Sequence, residues 1–158
     1  MFARLIRTTD DAVALVLRLA LGIVMFPHGA QKVLGWFGGY GWSGTLQGMS
    51  KMLPSGLVVI VMIAEFFGAL GLILGVVTRV AAFGIGCVMV GAILTVHGKV
   101  GFFMNWAGKQ PGEGFEYHIL VIAIAVALMI RGGGSASVDL ALTRSQTGTT
   151  RTPVMPRG

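Results

Sequence analysis

The chain has 158 residues, enough for one domain, and its composition is typical of a membrane protein: 54% of the residues are hydrophobic and only 11% are charged, with a mean hydropathy of +0.81. Soluble domains carry about a quarter charged residues. The net charge is +6, but the basic residues form no cluster with interleaved aromatic residues, which argues against nucleic-acid binding.

The single cysteine, Cys87, lies in an apolar run and no C-x-x-C pair occurs, which argues against a thiol–disulfide exchange enzyme.

Four hydrophobic runs approach the roughly 20 residues that a helix needs to cross a bilayer. The first follows Arg4 and Arg7 as a signal peptide would, but "FPHGAQK" stands where a cleavage site is expected, so this span is predicted to be retained. The four runs predict an all-α fold, an integral membrane four-helix bundle within residues 1–131. The spans are residues 12–34, 57–77, 80–97 and 115–130.

The connections between these spans differ in character. Thr78–Arg79 is predicted to form a tight turn between the second and third spans. In the first outer loop, Leu46, Met49 and Leu53 recur at helical spacing, which predicts a short helix in the membrane interface, and the third loop is expected to dip into the headgroup region as well. Residues 132–158 are small and polar and predict a flexible cytoplasmic C-terminal tail with one helical turn at residues 138–142.

Arginine and lysine segregate to opposite sides of the predicted bundle. The positive-inside rule therefore places both termini in the cytoplasm. Aromatic residues concentrate on the outer side, which suggests a surface for contact with lipid, ligand or partner. The arginines on or near the inner side are Arg4, Arg7, Arg18, Arg79, Arg131, Arg144, Arg151 and Arg157, and the outer lysines are Lys32, Lys51, Lys99 and Lys109.

Glu65 lies near the middle of the second span, about 12 Å along the helix from Leu57. An ionisable residue at this depth costs about 3 kcal/mol or more and usually faces the bundle interior or a cavity. Two interpretations stay open: a neutral acid that is hydrogen-bonded across the bundle, or a group that handles ligand or protons. Lys32 is the best-placed cation to pair with it.

His28 reaches a similar depth in the first span, since it precedes Trp36 by eight residues. Lys32 follows one turn later on the same helix face. Pro27 removes a backbone donor beside His28, which can bend the helix and open space there. The alternative is an interfacial histidine with a lysine whose stem lies along the apolar surface.

The other two spans carry polar residues at the same outer level. His97 closes the third span, and Glu116 and His118 open the fourth. Residues two apart on a helix are separated by about 200°, so only one of Glu116 and His118 can face inward. We expect His28, Glu65 and one of His97 or Glu116 to converge on one cavity, with Lys32 beside them, because such groups are costly to leave unpaired in lipid.

Metal or haem binding has little support from the spacing of these residues. Histidine and carboxylate suit zinc, copper or iron. However, no H-x-x-x-H or E-x-x-H spacing occurs, so every ligand would come from a different helix, and no metal site is predicted. Two histidines as haem ligands are neither supported nor excluded.

A stripe of small residues runs along the second span. Ala64, Gly68, Gly71 and Gly75 recur at helical spacing, which predicts close approach of a neighbouring helix.

The stretches "RLALGIVMFPHGAQKVLGWFGGYG", "EFFGALGLILGVVTRVAA", "GFF" and "GEGFEY" resemble the DoxX family of small bacterial four-span membrane proteins. Ala69 departs from the pattern, where a second glycine is expected. The family takes its name from a subunit associated with an archaeal quinol oxidase and thiosulfate:quinone oxidoreductase, and some relatives are linked to membrane-bound redox and oxidative-stress complexes. The resemblance implies this fold and a redox neighbourhood. Its matching polar positions are Arg18, His28, Lys32, Glu65, Arg79 and Glu116, of which Arg18 and Arg79, with His118, are predicted to be structural.

Three functions remain open from the sequence. The first is a membrane subunit of a respiratory or redox complex that binds quinone or a similar amphipathic ligand in an outer-half cavity. The second is a non-catalytic scaffold subunit. The third is a small oligomeric transporter with Glu65 as its ion site. No self-contained catalytic motif occurs, so any activity would belong to a membrane oxidoreductase of which this chain is a subunit. Expected partners are membrane lipids and other subunits of a complex or further copies of the chain.

Overall fold

The computed structural model describes residues 2–148, and all the regular structure in that range is helical. The predicted all-α fold is confirmed. A short 3₁₀ turn, His97–Lys99, follows α5. The α-helices are α1 Phe2–Ile6, α2 Ala12–Val33, α3 Gly41–Met49, α4 Ser55–Leu74, α5 Thr78–Thr95, α6 Glu116–Arg131 and α7 Val138–Gly148.

The four long helices pack as two antiparallel hairpins, α2 with α4 and α5 with α6, and contacts of α4 with α5 and of α2 with α6 complete the bundle. Its core is apolar and contains, among others, Leu21, Met25, Leu72, Ile85 and Leu128. Many large apolar side chains on the outside of the bundle are exposed. A helix surface of this kind is suited to contact with lipid.

Three helices are long and apolar enough to cross a membrane within the described part of the chain: α2, α4 and α5. The fourth predicted span, α6, has 16 residues and falls below that length. The helices otherwise begin and end within a few residues of the predicted spans. The predicted short helix of the first outer loop is α3, although Leu53 lies beyond its end.

The prediction of a turn at Thr78–Arg79 is wrong, because both residues belong to the first turn of α5. The chain reverses direction before these residues, between the end of α4 and the start of α5. Gly75 ends α4 in the left-handed region with φ +68°, a conformation that glycine adopts without steric cost. The amide of Val76 donates to the carbonyl of Gly71 at 2.8 Å, which completes a Schellman-type cap. Gly75 is therefore a helix cap as well as a small residue.

The remaining small residues of α4 lie against α5, which the sequence predicted only as close approach of an unspecified neighbouring helix. A Cβ added at Gly68 would lie 3.3 Å from the side chain of Ile85, and one added at Gly71 would lie 3.3 Å from Cβ of Ala81. A Cβ at Gly84 of α5 would lie 3.5 Å from Cβ of Ala64. Small side chains thus allow α4 and α5 to pack closely in the half of the bundle next to their connecting turn.

Arg18 and Asp139 bind the two helix ends that flank that turn, and both are only 1% exposed. Arg18 Nη1 donates to the carbonyl oxygens of Leu72 at 2.7 Å and Ile73 at 2.5 Å, at the end of α4. The Asp139 carboxylate accepts from the amides of Val77 and Thr78, both at 2.8 Å, at the start of α5. Each charge lies at the helix terminus whose unpaired backbone groups and dipole it complements.

Arg79 has the same role at the end of α6. Its Nε donates to the carbonyl of Met129 at 2.9 Å, and Nη2 donates to that of Ile130 at 3.1 Å. Nη1 also donates to the carbonyl of Arg7 beyond α1. Arg18 and Arg79 thus each tie a helix C-terminus to neighbouring segments.

The segment after α6 differs from the predicted flexible tail. The expected single turn extends into α7, eleven residues long. The buried Asp139 caps α5, and Arg18 also donates to the carbonyls of Gly133, Ser135 and Ala136. Hydrogen bonds to the bundle therefore dock residues 132–140, which composition alone does not reveal. The rest of the predicted tail, with Arg151 and Arg157, lies outside the described residues.

Candidate functional site

A cavity of about 880 Å³ occupies the end of the bundle opposite α1 and α7. Its walls come from α2, α4, α5 and the first turn of α6, and residues after α3 and in the α5–α6 connection border it. It exists because α4 and α5 separate away from their turn. A Cβ added at Gly91, two turns beyond Gly84, would meet no atom within 4 Å.

The cavity has an apolar groove and a polar end. Gly84, Cys87 and Gly91 of α5 form one side of the groove, and Leu57 and Ile60 of α4 form part of the other. Leu57, Ile60 and Cys87 are also exposed on the outside of the bundle. The groove therefore reaches the apolar outer surface between α4 and α5. The polar end contains His28, Lys32, Glu65, His97, Glu113, Tyr117 and His118.

Gly29 brings α2 and α4 together beside the polar end. A Cβ at this position would lie 2.5 Å from Cα of Phe66, so the two backbones are in contact. Gly22, two turns earlier, lies similarly close to Ile73 and Ala69. Glycines at i and i+7 on one helix face are a recognisable packing signal, and the sequence reasoning overlooked it. This contact places Lys32 of α2 within reach of Glu65 of α4.

Lys32 and Glu65 form a partly buried ion pair. Lys32 Nζ lies 2.5 Å from Glu65 Oε2, and the side chains are 25% and 5% exposed. The sequence left open a neutral, hydrogen-bonded Glu65 and a Glu65 that handles ligand or protons, and the structure places Lys32, the cation expected beside it, in contact with its carboxyl group. An ion pair with short hydrogen-bonded geometry compensates part of the cost of removing both charges from water.

His28 lies one turn before Lys32 on the same face and borders the same cavity. It is within electrostatic range of both Lys32 and Glu65. Helix α2 continues through Pro27 to Val33 without a break, so the histidine lies inside the helix rather than after its end. His28 and Lys32 of "FPHGAQK" therefore border the cavity, and Gly29 between them contacts α4.

His97 and His118 meet on the other side of the polar end. Their ring centroids are 4.1 Å apart and the rings are tilted by 40°. His97 Nδ1 lies 2.7 Å from the carbonyl oxygen of Glu113. His118 is 6% exposed, and its Nδ1 is buried without a hydrogen-bond partner among the described residues.

Glu116 is not part of this cavity. Its Oε1 accepts from the amide of Met104 at 2.9 Å and from Trp106 Nε1 at 3.4 Å, so it orders the α5–α6 connection. The helical offset places His118 rather than Glu116 on the inward face. Of the predicted site residues, the structure brings together His28, Lys32, Glu65 and His97, adds His118, and leaves Glu116 outside.

The described residues contain no group of three or more histidine, cysteine, aspartate or glutamate side chains arranged to hold a metal ion. The close His97–His118 contact is a pair of rings, with Nδ1 of His97 directed to a backbone carbonyl.

The DoxX family model matches residues 13–98, which include His28, Lys32, Glu65 and His97 but end before α6. A protein of Bacillus subtilis (strain 168) named "Putative oxidoreductase CatD" is 30% identical over 115 residues, which cover 72% of this chain and 76% of that relative. No solved structure matches the chain at a significant level.

Proposed function

Because the chain belongs to the DoxX family of membrane proteins, we propose that it is a membrane subunit of a respiratory or redox complex. Its outer-half cavity binds quinone or a similar amphipathic ligand. The relative's name includes the word oxidoreductase, which supports a redox setting. Other subunits of such a complex, or further copies of this chain, are the proposed partners.

The proposal includes a topology. Four spans cross the bacterial inner membrane with both termini in the cytoplasm, and α6 is the fourth span. Its 16 residues extend about 24 Å, so it crosses if the bilayer thins slightly or flanking residues enter the interface. Arginines at the end that carries α1 and α7, and lysines in the opposite connections, support this orientation.

The observation that carries the ligand proposal is the combination of an apolar groove and a polar end in one cavity. Ligand sites are mostly apolar concavities with a few convergent polar groups. The groove opens between α4 and α5 on the surface that would face lipid, near Ile60 and Cys87. An isoprenoid or acyl tail fits this groove, and a ring with polar substituents fits the end bordered by His28, Lys32 and Glu65.

The residues at the polar end suit a quinone head group. Lys32 has two ammonium protons beyond the one that faces Glu65, and these can donate to a carbonyl oxygen. Glu65 has a second carboxylate oxygen that can accept from a hydroxyl group. The apolar groove excludes water, which strengthens these hydrogen bonds. A bound quinone would exchange two electrons and two protons, with a partner subunit as the source or acceptor of the electrons.

The alternative of a non-catalytic scaffold has one observation in its favour, the mutual neutralisation of Lys32 and Glu65. A cavity whose charged groups neutralise each other does not require a ligand to compensate their charges. The unpartnered Nδ1 of His118 weighs against a fully satisfied bundle. The transporter reading is the weakest, because the groove between α4 and α5 points toward lipid rather than along the bundle axis.

The proposal is tested on the native assembly extracted in mild detergent. Organic extracts of the purified complex are analysed by mass spectrometry for quinones and lipids, beside an extract of an unrelated inner-membrane protein purified in the same way. The expected result is a quinone or other amphipathic ligand that is enriched with this protein and depleted when Gly91→Leu fills the groove. Equal ligand content in both variants would contradict the proposed site and favour the scaffold.

A further inference from the structure

The charges that border the cavity are balanced within the protein. Lys32 is the one lysine or arginine among the described residues that line it. Its Nζ lies 2.5 Å from Glu65 Oε2, so this cation already has a counter-charge. Glu113, the other carboxylate of the lining, lies in the α5–α6 connection and accepts from the amide of Asn105 at 2.7 Å. Within the described chain, the cavity therefore presents no positive charge that lacks a partner.

The apolar groove cannot distinguish between the tails of membrane amphiphiles. It opens between α4 and α5 near Ile60 and Cys87, on the surface that would face lipid. Acyl and isoprenoid chains are both apolar, and burial of apolar surface is non-directional. Specificity in such sites comes from the few polar groups that contact the ligand. Selection among the molecules that reach this groove therefore depends on the head group.

Head groups of different charge interact differently with a closed ion pair. An anionic group that approaches Lys32 also approaches Glu65, so repulsion offsets the attraction and the cost of removing the anion from water is not compensated. A zwitterionic group would have to separate the two side chains to pair with each of them. A neutral group leaves the pair intact and uses the free ammonium protons of Lys32 and the second carboxylate oxygen of Glu65.

We propose that the Lys32–Glu65 pair selects ligands with uncharged head groups, and that Glu65 is the residue that determines this specificity. A ring with carbonyl or hydroxyl groups binds, whereas the fatty acid anions and phospholipids of the surrounding membrane do not. This inference rests on the proposed function and adds the charge of the ligand class. Without Glu65, the same cavity would be a site for anionic amphiphiles, because an ammonium group at the end of an apolar groove attracts a carboxylate.

The test uses three probes that share a ten-carbon tail and differ in the charge of the head group. They are decylubiquinone, which is neutral, decanoate, which is anionic, and decylphosphocholine, which is zwitterionic. The full chain is immobilised on a resin in a mild nonionic detergent and equilibrated with each probe over a concentration series. The retained probe is quantified by mass spectrometry. A pH of about 8.5 keeps decanoate ionised and imidazole neutral.

The parent protein should retain decylubiquinone and much less of the two charged probes at equal mole fraction in the micelle. Glu65→Gln should gain about tenfold or more in decanoate affinity, the value of one hydrogen bond to a charged group. The ratio of variant to parent affinity is independent of how decanoate partitions into micelles. Adding Lys32→Met to Glu65→Gln should remove the gain, since it removes the cation that binds the carboxylate.

Glu116→Gln is the matched control for net charge. It also removes one carboxylate, but Glu116 lies outside the cavity and accepts from the amide of Met104. Its decanoate affinity should equal that of the parent protein. An equal gain in Glu116→Gln and Glu65→Gln would assign the effect to overall charge and overturn the specific role of Glu65.

The outcomes separate this inference from the proposed function. If decylubiquinone binds but a charged probe binds the parent equally well, or if Glu65→Gln leaves the decanoate affinity unchanged, charge selection is overturned and the proposed function stands. If the parent binds none of the three probes, both are overturned. If Glu65→Gln does not fold, the ranking of the three probes on the parent protein decides the inference.

Discussion

Lys32 and Glu65 come from different helices and meet at 2.5 Å, with side chains that are 25% and 5% exposed. The two residues differ in their access to solvent. The partly exposed lysine can extend toward the outer surface, whereas the buried carboxylate stays in the interior. It also depends on Gly29, one turn before Lys32, where the backbones of α2 and α4 touch. The local sequence "HGAQK" thus encodes a helix contact and the cation that the contact positions.

The two single variants of this pair should differ in stability. Lys32→Met leaves a buried carboxylate without its cation, whereas Glu65→Gln leaves a lysine that can reach water. We expect Lys32→Met to be the more destabilising, and the double variant to show a coupling free energy of about 1–3 kcal/mol. Thermal unfolding in detergent with a double-mutant cycle measures this, and additive effects would show that the pair contributes nothing.

Gly29→Ala should destabilise the protein although alanine favours helices. The new Cβ would be placed 2.5 Å from Cα of Phe66, and overpacking of this kind costs about 1–3 kcal/mol. Gly56→Ala is the matched control in α4, because a Cβ there meets no atom within 4 Å. Thermal unfolding should separate the two variants, and equal melting temperatures would contradict the close α2–α4 contact.

Asp139→Asn should weaken the inner end of the bundle. The carboxylate accepts from two amides at the start of α5, and one amide oxygen cannot replace both charge-assisted bonds. Hydrogen bonds to charged groups contribute about 1.5–3 kcal/mol, so we expect a loss in that range and faster hydrogen exchange at Val77 and Thr78. Unchanged exchange at these amides would contradict the capping role.

Asp10 provides a pH-dependent contact for α7 and the segment before it. Hydrogen bonds from Ser135 Oγ at 2.5 Å and from Arg144 at 2.7 Å hold the pKa of Asp10 below its ordinary value of 3.8. A lowered folded-state pKa stabilises the docked segment above the unfolded pKa, and this contribution is lost as the pH falls through the folded value.

The expected signature is a difference between the parent protein and Asp10→Asn in hydrogen-exchange protection of residues 135–146. The difference should be present at about pH 6, should shrink as the pH falls below 3.8, and should disappear only once the pH is below the lowered folded-state pKa of Asp10. A difference that stays constant down to the pH of acid unfolding would show that the contact does not depend on the charge of Asp10.

Hydropathy and family motifs predicted much of this structure. Apolar runs of span length located α2, α4, α5 and α6, because burial in lipid requires long apolar helices whatever their neighbours. The resemblance carried by "FPHGAQK" and "EFFGALGLILG" is confirmed by the family match. Small residues on α4 predicted close approach of a neighbouring helix without identifying it, and the structure places α5 there.

Features that depend on distant segments were not predictable in the same way. Asp139 lies in a polar stretch that resembles a flexible tail, and its role exists only because the segment returns to the start of α5. Glu116 and His118 differ by two positions on one helix, and the depth argument did not determine which one faces inward. Helix rotation is set by packing, here by Tyr117 and Val121 against the core, and not by the position of a residue along the span.

The measurement that tests the central claim most directly is decylubiquinone binding to the purified chain with Gly91→Leu, against Gly56→Leu as control. Both glycines lie in helices where an added Cβ meets no atom within 4 Å, but only Gly91 borders the cavity. We predict that Gly56→Leu binds as the parent protein does and that Gly91→Leu loses about tenfold or more in affinity while remaining folded. Equal binding by the two variants would contradict a ligand site in the groove between α4 and α5.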